Sequence, residues 1–322
     1  HLALRRRWQP DVSITMRFSI DQRGNARLKA SLITSGVMIT AVLLYQMSLS
    51  RGPAVQKNSD DLIEYSAVQL FPQSMPVLSD GAYELIVTDE QGARSVLGRF
   101  LTTADSQVTN VTGMRMTNAV FALPKKVTGL EKAEIRLVER QAGRQPFSIE
   151  FLTGDFRQDR AVTTFAQDVF SQAQGQFSLA TPTDGNDTLN ERSGLWFGDV
   201  ARSASSLTLP ALKQGWTYEG WAIVDGRPLT TGRFQGAHQR DAFSGFSSNQ
   251  SPAPSIPGED FLLDPPVLVF PGLTFPLDLA GDIARISIEP DFGGVDPTGQ
   301  SPFGVNVLHG EIPNRADPRR LY

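Results

Sequence analysis

The stretch YELIVTDEQG at Tyr83–Gly92, followed by GRF at 98–100, decides the fold because a matching stretch returns later in the chain. There, YEGWAIVDG at Tyr218–Gly226 leads in the same way to GRF at 232–234. Each copy contains two runs rich in β-branched and aromatic residues, joined by a turn that holds an aspartate and a glycine. This pattern is typical of a β-hairpin.

Two further blocks repeat in the same order. AEIRLVE at Ala133–Glu139 resembles ARISIE at Ala284–Glu289, and FSIEFLTGDF at Phe147–Phe156 resembles FGVNVLHGEI at Phe303–Ile312. Several blocks that return in one order are hard to obtain by chance. The sequence therefore predicts a mainly β fold in which two tandem β-sandwich modules follow one N-terminal transmembrane helix, the first module being a degenerate copy.

Composition divides the chain further. The predicted segments are a basic arm, an apolar helix, a polar tether, the first module, a helical linker, the second module and a C-terminal arm (1–29, 30–50, 51–61, 62–157, 158–175, 176–313 and 314–322). The linker is predicted to be helical because Val162, Phe165, Val169 and Phe170 share one face at helical spacing. The C-terminal arm is expected to need a partner to become ordered.

Residues 30–50, ASLITSGVMITAVLLYQMSLS, carry no charge and lie between Lys29 and Arg51. A helix that rises about 1.5 Å per residue needs roughly 20 residues to cross a membrane, so the length predicts a single transmembrane span. Residues 1–29 carry a charge of +5 and the whole chain −4, which leaves −9 for the remainder. This asymmetry places the N-terminus in the cytoplasm and the bulk of the chain outside the bacterial inner membrane. A buried core helix is the alternative.

Candidate contact residues lie on the arm and on the helix. Trp8 is a predicted anchor at the cytoplasmic membrane face. A stripe of mostly small and hydroxyl-bearing side chains would let a second helix approach closely: Ser31, Thr34, Ser35, Met38 and Tyr45. The same hydroxyls could instead bond to their own helix. Alternating residues in 12–20 also indicate a strand that enters a turn.

Residues 235–260 form an insertion rich in Gly, Ser and Pro, which predicts a segment without a core of its own. Phe243 and Phe246 within this insertion have no local apolar partner. They could dock onto another protein or onto lipid. Alternatively, they could fold back onto the second module.

Patterns for catalysis are missing. The chain has three histidines and no cysteine, which excludes disulfides, thiol nucleophiles and zinc-thiolate sites. It has no HExxH, GxSxG or phosphate-loop pattern. Asp184–Asp187, with Asn190 and Glu191, offers oxygen ligands but lacks the twelve-residue calcium-loop pattern, so we interpret it as a turn. We expect no enzyme activity, no metal and no cofactor, and the mildly acidic charge argues against a nucleic-acid partner.

One part of the chain resembles a known family. Residues 176–197, GWTYEGW at Gly215–Trp221, GRF at 232–234 and ISIEP at Ile286–Pro290 resemble the extracytoplasmic domain of anti-sigma-K-type factors. The resemblance covers 176–312 and extends faintly over 64–156. The resemblance implies a protein that crosses the membrane once. In the family, a zinc-linked helical domain on the cytoplasmic side binds a sigma factor. Here the cytoplasmic arm has 29 residues without cysteine, which is too short for such a domain.

Together these features predict a non-catalytic, single-pass accessory subunit of a larger bacterial membrane complex, photosynthetic or respiratory. Its partners would be integral membrane subunits and the lipid bilayer, and its β-modules would clamp the periplasmic face of the complex. Two alternatives stay open: an anti-sigma-like membrane sensor, and a membrane-tethered module that binds envelope glycan.

Overall fold

The computed structural model describes residues 5–6, 13–19, 64–140, 147–166, 170–265, 270–291, 297–298 and 300–322. Across these residues the fold is mainly β, as the sequence predicts, and its strands form several sheets. No helix in these ranges has both the length and the apolar character that a membrane span requires. The predicted helix at 30–50 lies outside the described residues, as do Trp8, Ser31, Thr34, Ser35, Met38 and Tyr45.

In chain order the strands are β1 (Arg5–Arg6), β2 (Ser13–Ser19), β3 (Tyr65–Gln73), β4 (Ala82–Asp89), β5 (Arg94–Thr102), β6 (Val108–Thr109), β7 (Val120–Val127), β8 (Leu130–Val138), β9 (Ser148–Arg157) and β10 (Arg160–Phe165). They continue with β11 (Ser178–Leu179), β12 (Gly194–Trp196), β13 (Gly198–Asp199), β14 (Ala204–Ser205), β15 (Trp216–Val224), β16 (Arg227–Phe234), β17 (Gly258–Asp260), β18 (Ile283–Pro290) and β19 (Val305–Glu311). Short 3₁₀ helices lie at Thr117–Ala119, Phe170–Gln172, Pro182–Asp184, Glu191–Ser193 and Val200–Arg202.

The larger sheet has the strand order β6-β5-β4-β8-β9-β10-β2-β3-β7, and its neighbouring strands are antiparallel. The sheet folds round so that β5 and β7, from opposite sides of the order, approach each other. The rings of Phe100 on β5 and Phe121 on β7 lie 5.7 Å apart. Gly98, on β5, has a φ of 153°, a backbone conformation that other residues rarely adopt, and the point where a side chain would start there lies 3.4 Å from the Phe121 ring.

The smaller sheet has the order β1-β19-β18-β15-β16, and the repeated sequence blocks fall on equivalent strands of the two sheets. The segment β5-β4-β8-β9 of the larger sheet corresponds to β16-β15-β18-β19 of the smaller one. Even the irregularities in register match: Leu85/Ile86 with Gly220/Trp221, and Ile135/Arg136 with Ile286/Ser287. Such bulges are specific backbone features, so their coincidence supports an internal duplication.

A tyrosine holds the same position in each copy. The hydroxyl of Tyr83 donates to the carbonyl of Pro76 at 2.8 Å, and the hydroxyl of Tyr218 donates to the carbonyl of Pro210 at 2.7 Å. Both side chains are buried, which raises the pKa of each phenol. Each buried hydroxyl therefore fixes the segment that enters its copy, seven or eight residues before the tyrosine.

The two sheets share one hydrophobic core. Phe151 on β9 lies with its ring centroid 6.0 Å from that of Trp216 on β15 and 5.0 Å from that of Phe303. Phe165 on β10 meets Trp216 edge to face at 5.1 Å. Aromatic side chains from both copies therefore pack against each other directly.

The helical linker predicted at 158–175 is wrong where the structure describes it. Arg160–Phe165 is a strand whose side chains alternate between exposed and buried, with Val162 48% exposed and Phe165 buried. β-Branched residues in this run favour an extended chain, and β9 and β2 supply its hydrogen bonds. Phe170 begins a short 3₁₀ helix and is buried.

The C-terminal arm is held by the chain itself. Tyr322 exchanges two backbone hydrogen bonds with Phe177, at 2.9 and 2.7 Å, and their rings stack at 5.8 Å. Tyr322 is buried. The expectation that this arm needs an external partner is therefore wrong.

The strand indicated near the N-terminus is present as β2, which lies between β10 and β3. Met16 faces the core and is fully buried, while Thr15 lies opposite Phe71. A single membrane crossing between β2 and β3 would place these paired strands on opposite sides. This pairing and the predicted single-span topology are thus alternatives, and the span stays a prediction.

Because the chain has no cysteine, an engineered pair tests the position of β2 cleanly. Opposite residues of an antiparallel pair have Cα atoms about 4.5–5.5 Å apart, within the reach of a disulfide. We expect Thr15→Cys/Phe71→Cys to form a cross-link on mild oxidation, measured by gel mobility and peptide mass. Thr15→Cys/Val96→Cys is the control, since β5 does not pair with β2. Absence of a cross-link in both pairs would contradict the β2–β3 pairing and favour the single span.

Candidate functional site

Residues that the structure describes form a polar basin with a volume of about 900 Å³. Two loops form most of it, one after the 3₁₀ helix Pro182–Asp184 and one at 248–251. Its lining consists of Asp184, Gly185, Asn186, Asp187, Asn190, Ser248, Asn249, Gln250, Ser251, Leu262, Leu263 and Pro276. Amide, hydroxyl and carboxylate groups therefore dominate one side, and three apolar residues close the other.

Thr183 connects the two loops of the basin. Its carbonyl accepts hydrogen bonds from the backbone N–H groups of Gln250 at 3.1 Å and Ser251 at 3.0 Å. Its hydroxyl oxygen accepts from the N–H of Ser248 at 3.1 Å. Segments that are more than 60 residues apart in sequence are thereby held as one surface.

Asp260, on β17, anchors Thr183 from below. Its carboxylate accepts from the Thr183 N–H at 2.8 Å, from the Thr183 hydroxyl at 2.6 Å and from Trp196 Nε1 at 2.8 Å. Both Asp260 and Trp196 are buried. Because β17 pairs with β12, the anchor is part of a regular sheet.

The other two residues of β17 hold the 235–260 segment. Glu259 accepts from the N–H groups of Phe246 and Ser247, each at 2.8 Å. The N–H of Gly258 donates to Asp241 at 2.8 Å. Buried carboxylates therefore supply acceptors to two loop N–H groups, those of Phe246 and Ser247, and to the first N–H of β17.

Burial of these carboxyl groups changes their acidity. Desolvation raises the pKa of Asp241 to about 7, of Glu259 to about 8 and of Asp260 to about 6, although their hydrogen bonds act in the opposite direction. Neighbouring negative charges raise two of these pKa values further. The charge of Asp241 raises the pKa of Glu259, and the charge of Asp184 raises that of Asp260. The buried acids that anchor the neighbouring loops thus include more than one carboxyl group whose pKa is raised to near neutral.

Asp184 differs from these residues. Its side chain is in the basin wall and only 7% exposed, yet within the described ranges no donor reaches either carboxylate oxygen. Asp187, on the same loop, accepts from the N–H of Leu189 at 2.9 Å. The sequence marked this cluster as a turn, and the orphaned carboxylate is visible only in the folded chain.

Phe243 and Phe246 fold back onto the molecule, which was one of the two hypotheses for them. Phe246 is fully buried and Phe243 is partly buried against the core. Phe246 contacts a cluster of rings at centroid distances of 5.0 to 5.7 Å: Phe243, Phe261, Phe270 and Phe275. The expectation of an exposed aromatic at Phe246 is wrong, because most of its partners follow the insertion in sequence.

A second buried polar group lies in the smaller sheet. Glu289 accepts from the Ser287 hydroxyl and from the Phe303 N–H, and Trp221 Nε1 donates to the Ser287 oxygen at 2.8 Å. Burial raises the pKa of Glu289, and the charge of Glu219 raises it further. Every one of these contacts fixes a strand or a loop end, so we interpret this group as structural.

Within the described ranges, no group of three or more His, Asp or Glu side chains is arranged to hold a metal ion. Comparison with protein-family models, curated proteins and solved structures gives no match to this chain. The resemblance to anti-sigma-K-type extracytoplasmic domains therefore stays a prediction.

The raised pKa values predict how stability depends on pH. The folded chain binds protons at Asp241, Glu259 and Asp260 more tightly than the unfolded chain, in which carboxyl pKa values lie near 4. Their stabilising contribution is therefore complete below pH 4 and is lost as the pH rises towards 8. We expect the Tm to be lower at pH 8.5 than at pH 5.5 by roughly 5 °C or more.

Glu259→Gln keeps an acceptor oxygen for Phe246 and Ser247 but removes one titration. Its Tm should fall less between pH 5.5 and pH 8.5 than that of the unmodified chain, as measured by differential scanning calorimetry. Glu131→Gln, at an exposed position, should leave the pH dependence unchanged. If Glu259→Gln and the unmodified chain lose stability equally, Glu259 does not carry the predicted proton.

Proposed function

We propose that this protein is a non-catalytic binding protein of the bacterial envelope, and that the polar basin takes a neutral polyhydroxyl ligand of the glycan type. The lining of the basin carries this proposal. The side-chain amides of Asn186, Asn249 and Gln250 each present both donors and acceptors, as a sugar hydroxyl requires, while the Oδ1 of Asn190 also accepts from the Thr181 hydroxyl at 3.1 Å. The hydroxyls of Ser248 and Ser251 add groups that can either donate or accept.

The size and shape of the basin support the same ligand class. A volume of about 900 Å³ is in the range of small-ligand sites and would take a short oligosaccharide. Leu262, Leu263 and Pro276 form an apolar wall against which the C–H face of a sugar ring could lie. Leu263 is 52% exposed, so this wall is accessible from solvent.

The buried acids that anchor the loops fit a structural function better than a catalytic one. Asp241, Glu259 and Asp260 are at most 8% exposed, and each accepts hydrogen bonds from the backbone of a loop. A general acid must reach the proton that it transfers, directly or through one water. Acids that are enclosed and occupied in this way support binding without catalysis.

Attachment to the membrane is a separate part of the proposal. This part excludes the pairing of β2 with β3: if Thr15→Cys/Phe71→Cys does not cross-link, residues 30–50 would tether the protein to the bacterial inner membrane, with the basin on the periplasmic side, where envelope glycan is within reach. The length of this apolar stretch and the +5 charge before it support the tether. We also interpret the two matching four-strand segments as parts of tandem β-sandwich modules, with the basin on the second.

Co-sedimentation of the purified chain with isolated envelope polysaccharide tests the ligand class. Asn249→Ala/Gln250→Ala removes two exposed amides and keeps the backbone bonds of the loop. Two lost hydrogen bonds should weaken binding about 5- to 30-fold. Gln91→Ala/Gln172→Ala, at exposed positions away from the basin, should bind like the unmodified chain. Equal retention of both double variants would contradict the basin as the glycan site.

A groove in the larger sheet favours a second candidate, the accessory subunit of a membrane complex. Its volume is about 500 Å³, and Phe71 and Met116 belong to its lining. Met114 and Val120, which adjoin the lining residues Arg115 and Ala119, are 70% and 38% exposed. Exposed apolar side chains beside a groove are a feature of protein interfaces.

Extraction with mild detergent, followed by native-gel sizing and mass spectrometry, tests this second candidate. If the groove docks onto membrane subunits, the chain should migrate in a large band with stoichiometric partners. Met114→Asp should then release it, because a charge would be buried without a partner. Val77→Asp, at another exposed apolar position, should not. Migration near the mass of the chain alone, 35.2 kDa, would contradict the subunit proposal.

A further inference from the structure

The carboxylate of Asp184 has no hydrogen-bond donor that would account for its burial. Its side chain is 93% buried, and among the residues that the structure describes nothing donates to either oxygen. A buried carboxylate without a donor or a counter-ion is destabilising, because the lost hydration is not replaced. The acid Asp260 adds charge repulsion to this cost, because the charge of Asp184 raises the pKa of Asp260.

Arg192, the basic residue nearest to Asp184 in sequence, and the distant Arg319 are both engaged elsewhere. Arg192 pairs with Asp278, and Arg319 pairs with Glu191. The basin lining itself, as far as the structure describes it, contains two carboxylates and no Lys, Arg or His. The lining at Asp184 therefore carries negative charge that no basic side chain within that lining balances, and Arg240 lines an adjoining pocket with Thr183 and the 248–251 loop.

Further side chains that carry oxygen atoms line the basin together with Asp184. Asp187, Asn186 and Asn190 follow it on the same loop. Gln250 reaches this loop from the other side of the basin: its Oε1 lies 3.3 Å from the point where a side chain at Gly185 would begin. Carboxylate and amide oxygens at one place are the ligands that hard cations prefer.

We propose that Asp184, together with Asp187 and the amide oxygens of the basin, binds a divalent cation of the Ca²⁺ type. Ca²⁺ accepts six to eight oxygen ligands in flexible geometry, whereas Mg²⁺ demands a nearly ideal octahedron, so two irregular loops suit Ca²⁺ better. Two carboxylates rather than three or four predict weak binding, with a Kd on the order of 10⁻⁴–10⁻³ M, as in extracellular modules. This inference concerns the basin of the proposed function, but it does not require that the ligand be a glycan.

The test uses the purified full-length chain without glycan. After dialysis against a chelator, CaCl₂ is added and the Tm is measured together with binding by isothermal titration calorimetry. We expect a Tm that rises and saturates at millimolar Ca²⁺, and a smaller rise with MgCl₂. A Tm that does not change with Ca²⁺ would overturn the proposal, whether or not the chain binds polysaccharide.

Asp184→Asn distinguishes a cation ligand from a structural side chain. In chelator its Tm should equal or exceed that of the unmodified chain, because an unbalanced buried charge is removed, and Ca²⁺ should no longer raise it. A Ca²⁺ response equal to that of the unmodified chain would overturn the assignment. Asp187→Asn should weaken Ca²⁺ binding several-fold. If Asp184→Asn does not fold, this second variant decides the question, because an unchanged affinity for Ca²⁺ would refute the site. Asp159→Asn, exposed in the β9–β10 turn, is the control with unchanged binding.

Discussion

The hydrogen bonds that β17 and Asp241 make to backbone N–H groups hold the basin in place. Much of the chain between β16 and β17 is irregular, and buried N–H groups there need acceptors. Glu259 accepts from Phe246 and Ser247, and Asp260 accepts from Thr183. This arrangement requires burial of charged groups, and the raised pKa values of Glu259 and Asp260 show the resulting desolvation.

Comparison of the two copies shows where the second has changed. In the first, Arg99 pairs with Glu84 at 3.0 Å on an open surface, with the Arg99 side chain 42% exposed. In the second, Arg233 pairs with Glu219 at 2.8 Å, and the exposure of the arginine falls to 25%. The 235–260 segment follows that strand and places Asp241 against Gly232. The duplicated framework is thus retained, while the added segment builds the basin.

The sequence predicts what local chemistry determines and misses what distant segments build together. The hairpin at Tyr83 is predictable because strand alternation and the turn at Asp89, whose carboxylate accepts from two nearby N–H groups, are both local. The strand at Arg160–Phe165 is not predictable in this way, because the spacing of Val162 and Phe165 also fits a helix. Only pairing with β9 and β2 makes this segment extended. The basin was missed because its loops come from 184–190 and 248–251, which only the fold brings together.

Hydrogen exchange of individual amides tests most directly whether buried carboxylates organise the basin. Four N–H groups donate to buried acids. Those of Thr183, Phe246 and Ser247 lie outside the strands, and that of Gly258 is the first of β17. The account predicts that they exchange as slowly as the amides of β15, with protection that is lost only on global unfolding. Rapid exchange at these four amides, with β15 still protected, would show that the loops open independently of β17 and would contradict the account.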